Sequence, residues 1–110
     1  MKLEVLYFHG CPNHEALLPR LSEVLASTGV AANIELVHVG DVEAADRERF
    51  LGSPTIRIDG QDVEPGADLR TDFGLKCRLF VTSDGLQRLP AEEWVRAALR
   101  RAAAVRSERS

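Results

Sequence analysis

Along the first forty residues the apolar positions change period twice. From Leu3 to Phe8 they occupy both alternating faces, Leu3, Val5 and Tyr7 on one and Leu6 and Phe8 on the other. A strand that is apolar on both faces belongs inside a sheet covered on both sides. His9-Gly10-Cys11-Pro12-Asn13 breaks the alternation. From Pro12 to Thr28 the period becomes helical, with Leu17, Leu18, Leu21, Val24 and Leu25 on one broad face. Proline stands at the favoured first helical position, and Gly29 stands where a C-terminal cap belongs. Ile34 to Val39 is rich in β-branched residues and reads as a second strand. Strand, helix and strand in this order predict a right-handed, parallel βαβ unit.

Asp41 is placed to cap a short helix that runs to Phe50, with Glu43 early and Arg47 and Arg49 late, as the helix dipole prefers. Leu51-Gly52-Ser53-Pro54 ends it, and Thr55 to Ile58 reads as a third strand closed by the turn pair Asp59-Gly60. Residues 61–74 show little periodicity and are long for a connection, so they form a functional loop or hold a short element of their own. Leu75, Cys77, Leu79 and Val81 then alternate with polar residues, which predicts a fourth strand with those four turned inward. Asp84-Gly85 turns the chain. Pro90 opens a last helix whose Trp94, Val95, Ala98, Leu99 and Ala102 form an apolar stripe, while Arg96, Arg100 and Arg101 face water. The expected fold is α/β in the order βαβαββα, a mixed central sheet flanked by helices. It spans residues 1–104, with a frayed tail over 105–110.

Composition narrows the function. A chain of 110 residues is one domain, and it folds without a staple or a metal. Fourteen basic against seventeen acidic side chains give a net charge of −3, which argues against a nucleic-acid partner. The apolar runs are too short to span a membrane, and no apolar signal core follows Met1, so the expected location is cytoplasmic. Two cysteines do not make a disulfide framework. The glycines form no phosphate-cradling loop and the histidines no Ser-His-Asp arrangement, so no cofactor is implied.

The element order, with Cys11-Pro12 at the first strand-to-helix junction, resembles the thioredoxin-like superfamily over residues 3 to 100. Cys11-Pro12-Asn13-His14 stands at the place of that family's Cys-x-x-Cys. Pro19, in the first helix, matches a helix proline of thioredoxins, and Ser53-Pro54-Thr55 resembles the family's cis-proline segment. The resemblance implies a cis Pro54 beside Cys11, with Ser53 and Thr55 offering backbone groups to an extended substrate; Pro12 and Asn13 fall on the same substrate side. His14 replaces the family's second cysteine, so dithiol exchange within one motif is excluded. What remains resembles the monothiol branches, with Cys11 as the sole nucleophile.

The residues read on their own point the same way. Cys11 lies where a strand hands over to a helix, so the free amides and positive end of the helix favour its thiolate. The plainer role is a small apolar residue at a turn. His14, close to one helical turn on, is either a base or counter-charge for that sulfur or a surface residue without a task. His9, Cys11 and His14 are close in sequence but sit in three different local conformations, so no metal is expected, and His38 reads as structural. Cys77 is the only other thiol. It is the candidate resolving partner if the 61–74 loop carries it to Cys11. Its inward phase, and the resemblance, which puts the start of the fourth strand at the end opposite the nucleophile, favour a buried, unpaired residue instead.

The expected activity is thiol–disulfide exchange, or reduction of an oxidised substrate, with a small or protein thiol or disulfide as partner and an external thiol completing the cycle. The alternative is a non-catalytic binding module, or a thiol site for a soft metal or organomercurial, on the same scaffold.

Overall fold

The computed structural model describes residues 1–109, with side chains through residue 105. Its centre is β1 (Lys2–Tyr7), and both apolar faces of that strand are covered, as the sequence pattern requires. Leu3 and Val5 meet one core, built with Leu17, Leu21 and Val24 of α1 (Asn13–Thr28) and with Val95 and Leu99 of α3 (Glu92–Arg109). Leu6 turns the other way, to Val39, Phe50 and Ala45 of α2 (Val42–Arg47). Two helices therefore cover one face of the sheet and one short helix covers the other.

The sheet runs β2-β1-β3-β4. β2 (Asn33–His38) pairs parallel to β1, with Leu3 opposite Ile34. β3 (Thr55–Ile58) pairs antiparallel to β1, with Val5 opposite Ile56. A turn at Asp59-Gly60, both at positive φ (50° and 85°), leads into β4 (Gln61–Asp62). That backbone matches the twist of a two-residue hairpin, which the Asp-Gly pair supplies. Most local signals hold through this half, but α2 stops at Arg47, short of the expected Phe50, with Arg49 beyond it at a φ of 54°. Pro12 is the N-cap of α1, Gly29 ends it in the left-handed region, and the Asp41 carboxylate accepts from Ala44 N at 2.7 Å to cap α2.

The second half departs from the expected pattern. Residues 61–74 hold β4 and a 3₁₀ turn at Ala67–Leu69. No four-residue alternation of strand follows at Leu75. Instead β5 (Phe80–Thr82) and β6 (Gly85–Gln87) form a separate two-stranded hairpin. The phase is reversed as well: Arg78 and Phe80 are buried, whereas Cys77, Leu79 and Val81 are exposed. The cause is electrostatic, because Arg78 finds carboxylates inside and can be buried as half of an ion pair. α3 begins at Glu92, just past Pro90, and continues through residues 105–109, read above as a tail; Ser110 lies outside the described residues. No helix among the described residues is long and apolar enough to cross a membrane.

Candidate functional site

Cys11 lies one residue before the N-cap of α1, in the turn leaving β1 where its amide donates to Phe8 O at 3.2 Å. It is 0% exposed. Its sulfur is bonded to that of Cys77, 66 residues away, across a Cα–Cα distance of 5.6 Å that suits a disulfide. The expectation of a buried, unpaired Cys77 is therefore corrected on both counts: the residue is exposed, and it is paired. The long connection does what a regular fourth strand would not. It carries residues 76–78 back beside the segment that precedes β3.

Three backbone hydrogen bonds hold it there. Gly74 N donates to Phe50 O at 3.0 Å, Ser53 N to Lys76 O at 2.8 Å, and Arg78 N to Ser53 O at 2.9 Å. The last two make Ser53 and Cys77 partners in a parallel bridge. Gly52 permits the approach. A Cβ on it would lie 2.9 Å from Lys76 O, and its φ of 126° is one that residues with a side chain rarely adopt.

Arg78 fixes the same segment from its other side. Its Nη1 donates to Asp62 Oδ2 at 2.8 Å and to Thr55 Oγ1 at 3.0 Å. Its Nη2 donates to Asp62 Oδ1 at 3.1 Å and Glu64 Oε2 at 3.3 Å, and the guanidinium lies 4.7 Å from the centre of the Phe80 ring. A two-pronged contact of this kind sets orientation as well as distance. Because neighbouring residues of an extended segment point to opposite faces, anchoring Arg78 inward presents Cys77 outward, towards Cys11. Arg70 continues the network by pairing with Glu64 and Asp72, and Asp72 with Lys76. Hydrogen bonding from Arg70 and then Lys76 holds the Asp72 carboxyl well below the usual carboxylate range.

The other candidate residues gather on the same end of the sheet. Ser53-Pro54 is cis, as expected, and Ser53 O lies 3.5 Å from Cys11 Sγ. Ser53, Pro54 and Thr55 are all buried. The Ser53 backbone groups are taken by Lys76 and Arg78, so the chain's own segment fills the edge that the sequence reading offered to an extended substrate. Ser53 Oγ is buried with no hydrogen-bond partner. His14 Nδ1 lies 3.2 Å from Cys11 O, so it donates to that carbonyl, and its ring stacks on Tyr7 at 4.2 Å. The contact that His14 makes with Cys11 is thus to the backbone. Pro12 is exposed and Asn13 half-buried at the rim. The His9 and His38 rings meet at a tilt of 42° with centroids 4.1 Å apart, and no group of three metal-ligating side chains converges among the described residues.

Arg78, Asp62 and Glu64 are what the sequence reading missed, and the Cys77 pairing is the alternative that it ranked second. The signal was present only as an arginine inside an apolar alternation, with two acids at the start of the long connection. Comparison with protein-family models, curated proteins and solved structures returns no match to this chain.

Proposed function

We propose that the chain is a thioredoxin-like thiol–disulfide oxidoreductase in which Cys11 and Cys77 form the redox couple, in place of Cys11 acting alone. The observation that carries this reading is the bond between a fully enclosed Cys11 at the head of α1 and an exposed Cys77. A disulfide with one partner open to solvent can be reached by an external thiol. The sheet order β2-β1-β3-β4 with an antiparallel β3, and the cis Pro54 segment beside Cys11, support the family reading.

The chemistry is a two-electron exchange. Cys11 and Cys77 give up two electrons and two protons as their bond forms, and a substrate disulfide takes them up to become two thiols. The partners are small or protein thiols and disulfides, and the cycle needs no further cofactor. The test is turnover of a small-molecule disulfide with glutathione as reductant. Wild type is expected to turn over repeatedly, and Cys11→Ser and Cys77→Ser to lose that activity. Stoichiometric modification without turnover would favour the binding-module alternative.

A further inference from the structure

We infer that Cys77, and not Cys11, is the sulfur through which an external thiol exchanges with the pair; the inference rests on the thiol–disulfide reading above. A thiolate attacks a disulfide from behind the sulfur it hits, in line with the bond that breaks, so access decides which sulfur reacts. Cys11 has no exposed surface, which closes that approach to its sulfur. Cys77 is exposed, on a segment whose inward side is occupied by Arg78. The polarity is the reverse of what the motif at Cys11 suggests.

The leaving sulfur is suited to its part. When the bond breaks, Cys11 departs at the N-terminal end of the sixteen-residue α1, whose first amides lack intrahelical partners and whose dipole favours negative charge. Ser53, whose carbonyl oxygen lies 3.5 Å from Cys11 Sγ, also carries a buried hydroxyl that has no partner in the disulfide state. A thiol that leaves readily as thiolate speeds exchange at the sulfur it leaves.

The step balances as follows. An external thiolate forms a bond to Cys77 Sγ, the Cys11–Cys77 bond breaks, and Cys11 takes the electron pair and then a proton. A second external thiolate attacks the external sulfur of the mixed disulfide, which releases an external disulfide and the Cys77 thiolate. The pair is reduced by two electrons, and two external thiols are oxidised to one disulfide.

The experiment treats oxidised wild-type protein briefly with excess glutathione, quenches with acid, and maps the glutathione adduct by peptide mass spectrometry. The expected result is an adduct on Cys77 in at least about tenfold excess over Cys11, since exchange follows access. In the reverse direction, Cys11→Ser is expected to form a mixed disulfide with glutathione disulfide at least about tenfold faster than Cys77→Ser does. An adduct chiefly on Cys11, or equal rates in the two variants, overturns the polarity and leaves the redox reading standing. A folded protein whose disulfide gives no adduct at all overturns both.

Discussion

Residues 2–60 are held mainly by apolar burial between a sheet and its helices, whereas residues 61–91 bury Val63, Ala67 and Phe80 but are fixed beside the site by ion pairs, backbone bonds to a neighbouring segment and one covalent bond. The first region places Cys11, through the β1–α1 turn. The second places Cys77, through Arg78 and the bridge to Ser53. The candidate site is therefore a seam between two kinds of structure. One side of it is set by the packed core, and the other by polar contacts and the disulfide itself.

Breaking the polar side should show this most plainly. Arg78→Met removes the fork and leaves Asp62 without its cationic partner, while Glu64 keeps Arg70. Breaking one partner of a buried pair costs about 3–5 kcal/mol. The urea midpoint is expected to fall accordingly. Trp94, whose ring lies 6.2 Å from that of Phe80, reports on the region by fluorescence. A loss below about 1 kcal/mol would mean that the segment is held by something other than Arg78.

The covalent tie comes next. Closing a loop of 66 residues constrains the unfolded chain, which by the entropy argument is worth roughly 4 kcal/mol before native strain is subtracted. Unfolding in the presence of dithiothreitol is expected to show a loss of that order, with the regular half retaining its helical circular dichroism.

This contrast also explains what could be read in advance. The apolar period gave β1, α1, β2 and β3 almost to the residue, because in that half the hydrophobic pattern and the burial largely agree, Leu36 of the edge strand β2 being the exception. Leu3 and Val5 face one core and Leu6 the other, as the alternation requires. The Asp41 cap was equally legible, being local, whereas the cis Pro54 was what the family resemblance implied. Leu75 to Val81 misled for a physical reason. A period-two reading assumes that charge points outward, and Arg78 is charge pointing inward, paid for by carboxylates 14 and 16 residues earlier. No local pattern carries that information. The period-two phase places Cys77 in the core, which makes its bond to Cys11 the less favoured of the two readings, although the long connection is what allows it.

Gly52→Ala sharpens the comparison at the seam itself. It forces a side chain into positive φ and against Lys76 O, at a cost of about 1–3 kcal/mol. The expected signature is a lower urea midpoint together with faster reaction of the pair with glutathione, since the segment bearing Cys77 is pushed off Ser53. Unchanged stability would show that the close approach is not required.

The smallest effect is expected at the exposed end of the ion network. The Asp72 carboxyl is held below its ordinary value of 3.8 by Arg70 and Lys76. A depressed pKa stabilises the fold above the unfolded value, and that contribution is lost as pH falls through the folded one. Asp72 is half exposed, so solvent screening keeps Asp72→Asn below about 1 kcal/mol at pH 7. The difference from wild type should vanish below the carboxylate range. A difference that grows as pH falls would contradict the assigned pairing.

The most direct test of the central claim is a redox titration of the folded protein. Wild type is equilibrated in glutathione buffers of graded ratio, free thiols are counted by mass after alkylation, and circular dichroism is recorded on the same samples. The account predicts one transition between zero and two free thiols, with both end states folded. A disulfide that yields thiols only when the protein unfolds would contradict it and leave Cys11–Cys77 as a structural bond.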